Sequence, residues 1–250
     1  MADLEMARQD GVLRLAFNRP TKKNALTGAM YDGARAALEA ADRDADVGAI
    51  LLHGTGGSFT AGNDIADFLA AAGAGSQHDS PAHRFVRAIA GCETPIVAAV
   101  EGVAVGVGMT MLFHCDLVYL APNATLRMPF VDLGLVPEAG SSLTVPRRVG
   151  LVKANELLLL GDPIGAEEAV RVGIANAVLP ADQLMVHALR QASRLAAKPR
   201  AALAATRRLI RGDRAEVLAR LEAETEVFAA ALRGPEARAA FAAFLERKAG

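Results

Sequence analysis

Apolar and polar positions follow three different rhythms along the chain, and each rhythm predicts a different kind of element. From Leu4 to Asn18 they alternate around Gln9-Asp10-Gly11, which predicts two antiparallel strands joined by a tight turn. Two unbroken apolar runs, Val47 to His53 and Ile96 to Val100, have the length and β-branched content of strands buried on both faces. Between them, Thr27 is placed to cap a helix running through Met30, Leu38 and Ala41, and Pro81 opens a helix to Ala90. A further strand is expected at Asp116 to Leu120. Strand, helix and strand thus recur, which favours an α/β core whose helices cross between strands of one sheet.

Beyond Gly150 the rhythm becomes helical. Helices are expected over Leu151 to Leu160 and Gly165 to Val172, then a short strand from Ile174 to Val178. Helices follow from Ala181 to Gly250, with apolar residues such as Leu184, Ala188, Leu195, Leu218, Leu221 and Phe228 at helical spacing. So many amphipathic faces cannot all close on one core, and some are expected to pack on another subunit.

Two glycine-rich turns interrupt the α/β part. Gly54-Thr55-Gly56-Gly57-Ser58-Phe59-Thr60-Ala61-Gly62-Asn63-Asp64-Ile65 turns from a strand into a helix start, with Asn63 or Asp64 as its cap. Glu101-Gly102-Val103-Ala104-Val105-Gly106-Val107-Gly108 does the same after the second buried strand. The likeness of Val47–Ile65 to Ile96–Thr110 suggests an internal repeat. Small and polar residues from Ala70 to Ser80 suggest a mobile loop over a ligand.

Composition narrows the function. A 250-residue chain that is 52% hydrophobic can bury a large core. Its net charge of -1 lacks the basic surplus that nucleic acid or an anionic membrane requires. No apolar run approaches the roughly 18 residues of a membrane span, and the acidic start Met1-Ala2-Asp3-Leu4-Glu5 is unlike a secretory signal. A cytoplasmic protein is expected, with Cys92 and Cys115 reduced. Arg190, Arg194, Arg207, Arg208, Arg211 and Arg214 read as solvated helix faces balanced by acids.

The motifs are informative first by exclusion. No phosphate-binding Gly-x-x-x-x-Gly-Lys-Ser/Thr loop, Gly-x-Ser-x-Gly elbow, His-Glu-x-x-His pair or third dinucleotide glycine is present. No metal ligand set is expected: His114, Cys115 and Asp116 are consecutive and point in different directions. What remains is a pair of turns, near Ala61-Gly62 and Val107-Gly108, whose N–H groups could converge on one carbonyl oxygen. Glu138, in Leu135-Val136-Pro137-Glu138-Ala139-Gly140, lies among apolar residues that would raise its pKa. Glu101 and Asp132 read as turn or cap residues, with Asp132 in reserve as a catalytic acid.

Phe59-Thr60-Ala61-Gly62-Asn63-Asp64-Ile65, Ala104-Val105-Gly106-Val107-Gly108 and Cys115-Asp116-Leu117-Val118-Tyr119 together resemble the enoyl-CoA hydratase/isomerase (crotonase) superfamily over nearly the whole chain, and Asn18-Arg19-Pro20 with Asn24-Ala25-Leu26 resembles its coenzyme A loop. The resemblance implies a spiral of ββα units over 1–190 and a C-terminal helical trimerisation region over 191–250, assembled as a homotrimer or hexamer. It implies an acyl-CoA thioester as substrate and no separate cofactor. It also implies backbone donors at Ala61 and Val107 for the thioester oxygen. Lys22, Ala25, Leu26, Gly62, Asn63, Asp64, Ile65 and Gly106 would surround the substrate, with Phe244 and Arg247 reaching a neighbour's nucleotide.

The two positions where hydratases of this family carry glutamates are here Thr110 and Phe130. Neither side chain is a general acid or base near neutral pH. Glu138 instead resembles the single glutamate of the peroxisomal type of Δ3,Δ2-enoyl-CoA isomerase, so the resemblance implies isomerisation of 3-enoyl-CoA to 2-enoyl-CoA. A hydratase using Glu138 with an unconventional second group is the alternative. A catalytically silent acyl-CoA binder or RNA-associated scaffold is a third reading.

Overall fold

The computed structural model describes residues 2–67 and 77–249, with side chains up to Ala243. Strands β1 (Leu4–Gln9) and β2 (Val12–Phe17) form the expected hairpin. Asp10 and Gly11 between them both take positive φ, 49° and 72°, the conformation by which a two-residue turn matches the twist of its strands. The other strands are β3 (Ala49–Gly54), β4 (Ile96–Val100), β5 (Val103–Val105), β6 (Leu117–Leu120), β7 (Thr125–Arg127), β8 (Ile164–Gly165) and β9 (Ala177–Val178). A six-stranded sheet runs β1-β2-β3-β4-β6-β9, parallel beyond the first hairpin, and a second sheet runs β5-β7-β8.

The chain passes from one sheet to the other in each repeat. Strand β4 lies in the large sheet and β5 in the small one, and β6 and β7 repeat the step. After β3, Thr60 bridges to Ala104 of β5. This is the repeat that the likeness of the two glycine turns predicts. The small sheet itself carried no readable signal, because strands of two or three residues are too short to show alternation.

Helices that lie wholly within the described residues include α1 (Gly28–Arg43), α2 (Pro81–Gly91), α3 (Val107–Thr110), α4 (Ser141–Val149), α5 (Leu151–Asn155), α6 (Ala166–Arg171), α7 (Ala181–Ala196), α8 (Arg200–Arg211), α9 (Arg214–Leu232) and α10 (Pro235–Ala249). Thr27 and Ser80 cap α1 and α2 by accepting from the Met30 and His83 N–H groups. On one face of the large sheet, Ile50, Leu52, Ile96 and Ala98 join the main core with Leu38 and Phe85. On the other, Leu51, Val97 and Tyr119 pack on Leu184, Ala188 and Ala192 of α7. The alternation of a strand splits the two sets, and each large side chain so buried contributes about 1.5–3 kcal/mol.

Several expectations need correction. Helix α7 runs straight through residue 190, and its Leu184, Ala188 and Ala192 pack on the large sheet. The strand expected from Ile174 to Val178 shrinks to β9, because the Ile174 and Ala175 N–H groups both donate to Ala169 O and close helix α6. After Val107 the helix has only one turn and tightens to a 3-10 turn over Met111–His114. Arg207 is not a solvated residue. It is buried, pairs with Asp116 at 2.7 Å and donates to the carbonyls of Cys92 and Glu93.

Both cysteines are free and buried. Among the described residues no helix is long and apolar enough to cross a membrane. Val152, Leu209 and Ile210 are 87%, 85% and 80% exposed in the single chain. The expected loop from Ala70 to Ser80 falls mostly outside the described residues, which resume with a 3-10 turn at Gln77–Asp79.

Candidate active site

The two glycine turns meet because their glycines leave no side chain between them. A Cβ on Gly62 would sit 2.7 Å from Val105 O, and one on Gly108 would sit 2.7 Å from the Thr60 methyl. Contact this close requires glycine. Beside them opens a cavity of about 800 Å³ whose wall includes Asn63, Gly106, Val107, Phe130 and Glu138.

The backbone donors of the two turns are not used alike. In the first, the Ala61 N–H donates to Lys23 O at 2.8 Å and the Gly62 N–H to Thr60 Oγ1 at 3.1 Å. Ala61 is therefore already engaged, which corrects its expected role as a donor to substrate. Asn63 forms a parallel bridge with Leu26, in which Leu26 bonds the Gly62 carbonyl and the Asp64 N–H. The Asn63 N–H consequently points away from Leu26, and no described acceptor takes it. In the second turn, Val107 is the first residue of α3, so its N–H has no partner within the helix. Asn63 and Val107 thus each present an N–H that no described acceptor takes.

Glu138 is half-buried, inside the protein but opening on the cavity. Burial, opposed by a hydrogen bond from Thr110 and reinforced by the negative charge of Glu224, raises its carboxyl to about 7. The Thr110 hydroxyl donates to Glu138 Oε1 at 2.5 Å. Thr110 thus holds the carboxylate and does not compete with it as an acid or base. The residue after Glu138 is strained: Ala139 takes φ 60°, a left-handed conformation costly for any residue with a Cβ. Its carbonyl accepts from His114 Nε2 at 2.8 Å, and Glu224 accepts from the Gly140 and Ser142 N–H groups at 2.6 and 2.8 Å. Burial pushes His114 down to about 4, so it is a neutral donor at pH 7.

Tyr31, Glu224 and His114 were not anticipated at this site. Tyr31 is buried on α1 and its hydroxyl donates to Asn63 Oδ1 at 2.5 Å. Burial and then the charge of Glu138 raise its pKa, so the phenol stays protonated. On α1 it looks like one more apolar position, and only the fold shows its hydroxyl reaching residue 63.

The remaining expected residues divide clearly. Ala61, Gly62, Ile65, Gly106 and Phe130 line the large cavity. Leu26 and Asp64 line a neighbouring cavity of about 230 Å³ with Asn63 and Tyr31. Asp64 caps the following turn through the Ala66 and Asp67 N–H groups and pairs with Arg19 at 3.1 Å. Burial would raise its carboxyl, but these partners hold it below the ordinary value. Lys22 is exposed and Ala25 partly buried, and neither lines a cavity named above. Phe244 and Arg247 lie outside the residues whose side chains are described. Asp132 reaches the rim of the large cavity but pairs with Arg127 at 2.7 Å.

Residues 7–250 match the enoyl-CoA hydratase/isomerase family model. Enoyl-CoA delta isomerase 2 of Rattus norvegicus is 35% identical over 84% of this chain, and the chain spans 54% of that relative's length. The 2,3-dehydroadipyl-CoA hydratase of Escherichia coli is 30% identical over 99% of this chain and 97% of its own. The structure of Pseudomonas aeruginosa OdaA superposes with a TM-score of 0.92 at 42% identity, covering 98% of this chain and 99% of that one. An enoyl-CoA hydratase/isomerase of Pseudoalteromonas atlantica does so with a TM-score of 0.92 at 40% identity, over 98% of each chain. With a matching family model over nearly its whole length and the same crotonase fold, the chain belongs to the enoyl-CoA hydratase/isomerase family.

Proposed function

We propose that the protein isomerises 3-enoyl-CoA to 2-enoyl-CoA with Glu138 as its single acid–base group. The observation that supports this most is the pairing of Glu138 with Thr110. The turn that could have supplied a second carboxylate supplies a hydroxyl bonded to the first. In the reaction, the carboxylate takes a proton from the α carbon of the thioester. The electron pair of that C–H bond delocalises onto the thioester oxygen, held by the Asn63 and Val107 N–H groups, and through the conjugated double bond to the γ carbon, where the same carboxyl returns the proton and leaves the double bond between the α and β carbons. A carboxyl near pH 7 is matched to both halves of that cycle. Exposed Lys22 is available to the coenzyme A phosphates, and the exposed apolar residues Val152, Leu209 and Ile210 suit a homotrimer or larger assembly.

The full-length match to a hydratase favours a second reading, water addition to 2-enoyl-CoA. That reaction needs another acid or base, and Asp132 on the same cavity is tied to Arg127. Supplying 3-enoyl-CoA and, separately, 2-enoyl-CoA and resolving the products by chromatography and mass decides between them. A same-mass conjugated product from the first, absent with Glu138→Gln, is expected. Hydration of the second without isomerisation would overturn the proposal, and turnover or binding unaffected by Glu138→Gln would point to a silent acyl-CoA binder.

A further inference from the structure

We propose that His78, His83 and Glu222 form a binding site for a zinc-like divalent transition metal ion, joining the start of α2 to α9. One ligand atom from each lies within 4.8 Å of the others. His78 Nδ1 stands 2.9 Å from Glu222 Oε2, and His83 Nε2 stands 3.5 Å from the same oxygen. Bonds of about 2.0–2.2 Å from one cation to two imidazole nitrogens and a carboxylate oxygen need separations of this size.

The outer partners point the same way. His78 Nε2 lies 2.7 Å from Glu226 Oε1, and His83 Nδ1 lies 3.0 Å from Thr225 Oγ1. His78 stands between two carboxylates, Glu226 at Nε2 and Glu222 at Nδ1, so it either carries both protons or keeps one on Nε2 and offers Nδ1 to a cation, while Thr225, whose hydroxyl donates to Leu221 O, can take the proton of His83 Nδ1. In the second form each ring turns a lone pair toward Glu222 Oε2, which is itself an acceptor. Three lone-pair donors facing one another need a cation or an extra proton between them. An imidazole whose far nitrogen is anchored by an acceptor is also how histidine is oriented toward a metal. Arg87 pairs with the other oxygen of Glu222, which fixes the carboxylate and leaves Oε2 for the ion.

Two nitrogens and one oxygen select a borderline transition metal over calcium or magnesium, which prefer all-oxygen shells. His78 and Glu222 side chains are 34% and 35% exposed, so an ion can enter and a water can complete its shell. His83 and Thr225 also line a small cavity that Glu138 and Ala139 share. The ion would therefore brace a wall close to the proposed acyl site, although the argument for it does not depend on the isomerase assignment.

The test uses tag-free full-length protein stripped with EDTA and titrated with Co²⁺, followed by displacement with Zn²⁺. A ligand-field absorption band saturating at one equivalent is expected, with a rise in Tm on adding Zn²⁺. His78→Ala, in a short 3-10 turn outside the hydrophobic core, should fold as wild type and lose at least tenfold in affinity, and Glu222→Gln should lose the band. Absence of a saturable band, or the same band in His78→Ala, would overturn the site and leave a hydrogen-bonded ion cluster.

Discussion

The two strand-to-helix turns read almost alike in sequence, yet the structure employs them differently. Around Ala61 the chain spends two successive N–H groups on its own atoms, Lys23 O and Thr60 Oγ1, before Asn63 is left unengaged. At Val107 the first residue of the helix is already unengaged. A glycine motif thus locates a donor site to within a few residues, while the identity of the donor depends on what the rest of the fold accepts. Lys23, which claims Ala61, lies 38 positions earlier in the chain.

The comparison can be sharpened by substitution, beginning with the carboxylate both turns serve. Glu138→Gln should lower kcat by about 10²- to 10⁴-fold while acyl-CoA binding, measured by calorimetry, persists. Replacing the Asn63 amide by an ester removes one N–H and should cost about 10²- to 10³-fold in rate. The same replacement at Ala61 should leave rate nearly intact and cost about 1 kcal/mol of stability through the lost bond to Lys23. Equal rate losses at 61 and 63 would break the distinction drawn between them.

Stability offers a smaller readout. A carboxyl raised on folding favours the native state while protonated. The contribution of Glu138 is therefore intact below its ordinary value of 4.5 and lost as pH rises through about 7. Urea denaturation should show Glu138→Gln more stable than wild type at pH 8, by about 2–3 kcal/mol, and not at pH 4. Smallest of all, Ala139→Gly should relieve the left-handed strain beside Glu138 and stabilise the chain by up to about 1 kcal/mol.

Local chemistry was legible and long-range pairing was not. The Asp10-Gly11 hairpin, the Thr27 cap and the buried runs Ile50–Leu52 and Ile96–Val100 announce themselves within a few residues, and the structure has all of them. Glu138 was legible because a lone acid among apolar residues is conspicuous. Its partners were not: Thr110 lies 28 positions away and Glu224 caps the loop from a helix 84 positions beyond Gly140. The cluster of His78 and His83 with Glu222 follows the same rule, joining residues 144 positions apart with no ligand spacing to betray them. Arg207 was misjudged because a helix of arginines does not say which one the fold will turn inward toward Asp116.

The central claim is that one carboxyl near pH 7, held by Thr110, does all the proton transfer. Its most direct test is the pH dependence of kcat/KM for isomerisation of 3-enoyl-CoA by wild type and Thr110→Val. A base must be ionised, so the rate should fall with a slope of one as pH drops through about 7. Thr110→Val, lacking the bond that favours the carboxylate, should shift that fall to higher pH. A flat profile through this range, or a midpoint unmoved by Thr110→Val, would contradict the account.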